Sequence, residues 1–254
     1  MTAPRVAIVT GASRGIGAAI ARQLAADGLS VVAVARSGEA LDALVAELPT
    51  EALAVACDLR ERDIAAQVID TTLERFSRID VLVNNAGATP RGDFLGFSDA
   101  EWDDGFALKF FGAMRLCRAA WPHLVDSRGS IVNIGGIGGR TGSAEFTIGG
   151  SVNAALLNLT KALADRGVRE GVRVNAVNPG SIATERTQAR IERIAAERGI
   201  DIAQAAGELA GQLRVARLGT PEELANVVAF LASDRASYMQ GAIVDVDGGQ
   251  TRTL

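Results

Sequence analysis

Short runs of apolar, often β-branched residues alternate along the chain with longer stretches whose apolar positions recur every three or four residues. The first kind reads as strands buried on both faces, the second as amphipathic helices. The predicted strands are RVAIVTG (5–11), SVVAVAR (30–36), ALAVACDL (52–59), IDVLVNNAG (79–87), GSIVNIGG (129–136), VRVNAVNPG (172–180) and GAIVDVDGG (241–249). Helices are predicted between them over 15–28, 37–48, 62–77, roughly 99–127, roughly 149–170 and 221–233. Gly28 suits the position just past a helix end, and Pro221 the first turn of the last helix. A polar helical insert is predicted over about 184–213.

Strands joined in turn by helices imply a parallel sheet covered on both faces. With seven strands and no linker, residues 1–254 form one α/β unit, a single doubly wound Rossmann domain. Composition fits a globular chain, with 48% apolar and 22% charged residues. The net charge of −4, without any Lys/Arg run, argues against a nucleic-acid or membrane surface. Cys57 and Cys117 lie outside any CxxC and are expected as buried free thiols in a reducing compartment. The start of the chain runs straight into a strand, so no leader is expected, and no apolar run approaches the ~18 residues of a membrane span. Cytoplasm is the expected location. His123 is the only histidine, so no metal site is expected.

The first strand opens directly into TGASRGIG (10–17) and a helix. Glycines at 11, 15 and 17 allow a tight turn and close backbone approach to a pyrophosphate, which then meets the helix N-terminus. This is a dinucleotide-binding arrangement, with Ser13, Arg14 and Ile16 in the same turn. An NAD site usually ends its second strand in an acid for the ribose 2′-hydroxyl. Here Ala35 and Arg36 stand there, and Arg14 adds a second guanidinium. Two fixed cations suit a 2′-phosphate, so NADP(H) is expected over NAD(H).

The segments TGASRGIG, CDL (57–59), NNAG (84–87), NPGSIAT (178–184) and RLGTPEELANVVAFLASDRASYMQGAIVDVDGG (217–249) resemble the short-chain dehydrogenase/reductase family, in order and over essentially the whole chain. The resemblance implies that Asp58 and Leu59 lie near the adenine, and that Asn85, Ala86 and Gly87 line the ribose side. It places Pro179, Gly180, Ile182 and Thr184 at the nicotinamide end, and makes the 184–213 insert a substrate lid. It also implies assembly as a homodimer or homotetramer through the long helices near 99–127 and 149–170.

The family's usual chemistry uses a Tyr proton donor, a Lys four residues later, a Ser that polarises the carbonyl and an Asn that holds a relay water. By the resemblance these positions fall on Gly149, Asn153, Gly136 and Lys109. The only tyrosine, Tyr238, lies in the C-terminal segment, and the only other lysine is Lys161. The usual Tyr-dependent mechanism is therefore expected to be absent. Seven glycines between 135 and 150 predict open volume at this wall.

Lys109 is one of two lysines against 24 arginines. It could polarise a carbonyl, contact ribose or phosphate, or act as an amine of lowered pKa; a structural lysine that reaches solvent is the alternative. Glu145 could replace the missing acid, and Asn153 could keep a hydrogen bond to the ribose. Three readings follow. One is an NADP(H)-dependent oxidoreductase of a small carbonyl or alcohol with non-standard proton delivery. Another is a catalytically silent dinucleotide-binding protein, a redox sensor or the partner of an active paralogue. The third is lysine-based, non-redox carbonyl chemistry.

Overall fold

The computed structural model describes residues 4–252. Its first half runs β1 (Val6–Thr10), α1 (Gly15–Ala26), β2 (Ser30–Ala35), α2 (Gly38–Glu47), β3 (Ala52–Ala56), α3 (Ile64–Phe76) and β4 (Val81–Asn84). The second half runs α4 (Asp99–Phe106), a π-helical turn (Ala107–Gly112), α5 (Ala113–Ser127), β5 (Ser130–Ile134), α6 (Thr147–Glu170), β6 (Arg173–Pro179), α7 (Glu185–Arg198), α8 (Ile202–Leu213), α9 (Pro221–Ala232) and β7 (Ile243–Val246).

All seven strands pair in parallel, in the order β3-β2-β1-β4-β5-β6-β7. Strands β1, β2, β4 and β5 are buried nearly throughout, as continuous apolar runs require when helices cover both faces. One core layer joins the sheet to α1, α2 and α9 through residues such as Ile20, Leu24, Leu41 and Val228. The other joins it to α3, α5 and α6 through Val68, Leu116, Leu124 and Ala164. Gly28, at φ +87°, follows the end of α1 as expected, and Thr220 with Glu223 forms a capping box ahead of Pro221.

Three features differ from the sequence reading. The predicted 99–127 helix is interrupted by the π-helical turn, one extra residue per turn that periodicity over apolar positions does not register. The 184–213 insert is two helices, α7 and α8, which close on each other around Ile191, Ala195, Ala205 and Leu209. Cys117 is buried, but Cys57 is only half-buried at the end of β3; both are free thiols. Among the described residues no helix is long and apolar enough to cross a membrane.

Candidate functional site

The chain leaves β1 toward β2 on one side and returns through β4 on the other. This reversal opens a crevice beyond the C-terminal ends of β1 and β4, where ligands of such sheets bind. The turn from Gly11 to Gly17 forms one lip. Gly11 (φ +65°) and Gly15 (φ +54°) are left-handed, and a Cβ on Gly17 would come within 2.1 Å of the Gly11 carbonyl oxygen. Helix α1 starts there with no side-chain cap and no acidic residue in its first turn. Its first N–H groups and its positive dipole end are thus left for an anion.

The other lip is tied to the first. Thr10 Oγ1 accepts hydrogen bonds from Asn85 N (2.9 Å) and Ala86 N (3.0 Å), and the Asn85 amide donates to the Thr10 carbonyl at 2.9 Å. Arg36 is exposed beyond the end of β2. Asp58 accepts from Arg60 N at 3.0 Å and pairs with its guanidinium, which also holds Asp104. Leu59 is buried, with its backbone against Gly112. At the far side, Ile182 is buried and bridges to Gly219, and Gly180 packs against Asp247. A Cβ on Gly15 would lie 3.6 Å from the Thr184 methyl, so the start of α7 touches the glycine turn. Arg14, expected as one of two cations for a 2′-phosphate, is paired with Glu185 of α7 at 3.1 Å.

The π-helical turn carries Lys109. Its Nζ donates a 2.7 Å hydrogen bond to the Gly135 carbonyl just past β5. The stem crosses Gly87: a Cβ there would meet Lys109 Cδ at 2.8 Å. Burial, and then the Arg186 charge, lower the ammonium's pKa from its usual 10.5 to about 8. Lys109 is thus half-buried, with its amine held on a backbone carbonyl rather than on a carboxylate.

Next along the chain, Gly136 N donates to Asn178 Oδ1 at 3.0 Å. Asn178 in turn donates to Asp245, which pairs with Arg140. This ladder fixes the end of β5. Asn153 is 3% exposed; its Nδ2 lies 2.7 Å from where a Gly136 Cβ would be, and its Oδ1 is buried without a hydrogen-bond partner.

The expected open volume is filled. A Cβ on Gly149 would come within 2.0 Å of the Phe146 ring, and one on Gly138 within 3.0 Å of the same ring. The glycines make room for Phe146, and Gly136 makes room for Asn153. Arg91 stacks its guanidinium over the Phe146 ring, 4.3 Å from the centroid. Gly92 N donates to the Glu145 carbonyl at 3.0 Å, tying the loop after β4 to the turn that holds Phe146. Glu145 itself is exposed, and its charge acts on Arg91. Phe146, Arg91 and the Gly135 carbonyl were not singled out from the sequence. Phe146 could have been, as the one aromatic side chain in a glycine-rich run.

The family model described as Enoyl-(Acyl carrier protein) reductase matches residues 11–251. The 3-oxoacyl-[acyl-carrier-protein] reductase of Synechocystis sp. is 40% identical over 252 residues, 96% of each chain. Short-chain reductase protein NovJ of Streptomyces niveus is 37% identical over 249 residues, 96% of this chain and 93% of the relative. Among solved structures, L-sorbose reductase from Gluconobacter frateurii, complexed with NADPH and L-sorbose, superposes with a TM-score of 0.94. It is 32% identical, and the match covers 99% of this chain and 98% of that one.

Proposed function

Because the chain belongs to the short-chain dehydrogenase/reductase family, we propose that it is an NADP(H)-dependent oxidoreductase of a small carbonyl or alcohol in which Lys109 moves the proton. The observation that carries this reading is the half-buried Lys109 ammonium, held beside Gly87 on the Gly135 carbonyl with its pKa drawn down to about 8. A general acid works best when its pKa lies near the working pH.

The residues of the crevice fit a dinucleotide. The bare α1 N-terminus and the side-chain-free faces of Gly11 and Gly17 suit a pyrophosphate. Asn85, Ala86 and Gly87 lie across the crevice from them, with Asp58 and Leu59 toward the adenine end. Pro179, Gly180, Ile182 and Thr184 close the nicotinamide end. The orphaned Asn153 Oδ1 supplies an acceptor for a ribose hydroxyl. Arg14 and Arg36, without a carboxylate at the end of β2, support NADP(H) over NAD(H). A solved relative bound to NADPH supports the same choice.

When bound, the cofactor supplies or accepts a hydride. Lys109 Nζ gives its proton to the substrate oxygen in reduction and takes it back in oxidation, exchanging it with solvent between turnovers. The Gly135 carbonyl holds the ammonium in place while it waits. By the family correspondence, Gly149 and Gly136 stand at the usual Tyr and Ser positions, so no hydroxyl from them enters the step. Helices α7 and α8, with an apolar cluster of their own, serve as a lid that moves as a unit. Assembly into a homodimer or homotetramer would use the α4–α5 and α6 surfaces, where Phe111 and Val168 are exposed.

One observation favours a silent dinucleotide-binding protein instead: the Phe146 ring fills the side-chain space at 149. NADPH consumption with a panel of ketones and aldehydes separates the readings. Turnover that Lys109→Met removes and Glu145→Gln leaves supports Lys109 as the proton donor. NADPH binding without turnover of any carbonyl favours the silent reading.

A further inference from the structure

Arg91 and α7 put unusual charge beside Lys109. Arg91 is held at 4.3 Å over the Phe146 ring, and that ring lies against Gly149. The guanidinium is therefore fixed at the wall where the family's tyrosine would stand, rather than swinging freely. The Gly92–Glu145 backbone hydrogen bond fixes the loop that carries it.

Arg186 and Arg190 stand four residues apart on α7, and so on one face of that helix. Both are close enough to Arg91 to repel it, and Arg186 also repels Lys109. Glu145 is the one carboxylate that acts on Arg91. Among the described residues none of these three arginines makes a side-chain ion pair, whereas Arg14, Arg22, Arg60, Arg140, Arg198 and Arg217 all do. Arg91 thus has Arg186 and Arg190 beside it and Lys109 has Arg186, all three arginines exposed, with Glu145 the one carboxylate acting on Arg91. Like charges gathered without counter-ions cost stability, and an anion among them relieves that cost through charge-assisted hydrogen bonds.

We propose that the substrate carries a carboxylate, bound by Arg91 with Arg186 and Arg190 of α7 while its carbonyl lies at Lys109. The inference rests on the reading that the space beside Lys109 is the substrate site. Planar guanidinium groups match a carboxylate in two-point contact, and a ring-stacked Arg91 loses little freedom in making it. Because two of the three donors sit on α7, the same contact would draw that helix over the bound molecule.

The test is calorimetric titration of the NADP⁺-loaded protein with oxocarboxylates of three to six carbons, each paired with its methyl ester. At least one acid is expected to bind tenfold or more tightly than its ester. Arg91→Met, and separately Arg186→Met with Arg190→Met, should each remove most of that preference, and Arg91→Lys should keep part of it. Equal binding of acid and ester, no binding of any acid, or acid binding indifferent to both sets of substitutions overturns the proposal. So does a loss of NADPH affinity in these variants with acid binding intact, which would assign the arginines to cofactor phosphate. Acid preference without turnover would leave this inference standing and sink the proton-transfer reading. Turnover of neutral carbonyls without acid preference would do the reverse.

Discussion

Lys109 Nζ donates a 2.7 Å hydrogen bond to the Gly135 carbonyl from a half-buried position just past β5. Burial lowers its folded-state pKa from 10.5 to about 8. Between those values the unfolded chain binds more protons than the folded one, so stability from this group rises with pH across that window. Below about 8 the penalty of the half-buried charge is present in full. Relative to Lys109→Met, wild type should therefore gain on the order of 2 kcal/mol between pH 8 and 10.5. Urea unfolding of both proteins at several pH values checks this.

Gly87 is the channel for that lysine. A methyl group at 87 would meet Lys109 Cδ at 2.8 Å and Cγ at 3.2 Å. Gly87→Ala should leave the fold intact, push the stem aside and lower turnover, since misplacement by about 1 Å can cost ~10²-fold. Circular dichroism and steady-state rates on one preparation separate the two effects.

Restoring a tyrosine at 149 should fail on its own. The Phe146 ring already occupies that direction, within 2.0 Å of any Cβ at 149. Gly149→Tyr is expected to destabilise by about 1–3 kcal/mol through overpacking. Adding Phe146→Ala should recover most of that loss, and thermal unfolding of the single and double variants measures it.

The Arg14–Glu185 pair joins the glycine turn to α7. If Arg14 takes a 2′-phosphate, Glu185 competes for it. Glu185→Gln should tighten NADPH binding a few-fold, more so at low salt, and leave NADH nearly unchanged. Arg14→Ala should weaken NADPH alone. Fluorescence titration with both cofactors reads this directly.

The parallel sheet and the glycine turn were legible because both follow from local rules. A continuous β-branched run such as SVVAV must be buried on both faces, and Gly11 and Gly15 mark left-handed backbone. Lys109 was legible as an exception in composition, but its setting was not. The π-helical turn adds a residue to a register that apolar spacing reads as regular. The Phe146 contact with Gly149 spans three residues and still escaped notice, because glycine was read as empty space when here it is the receptor for a ring. The Arg14–Glu185 pair spans 171 positions, and no local pattern foretells it.

The central claim is that Lys109 moves the proton. The most direct measurement is the pH dependence of kcat/KM for carbonyl reduction by NADPH, in wild type and Lys109→Met. Wild type should be flat at low pH and fall as pH rises through about 8, where the ammonium loses its proton. Lys109→Met should be slower by roughly 10²–10⁴-fold and lack that inflection. A Lys109→Met enzyme that keeps both the rate and the inflection would contradict the account.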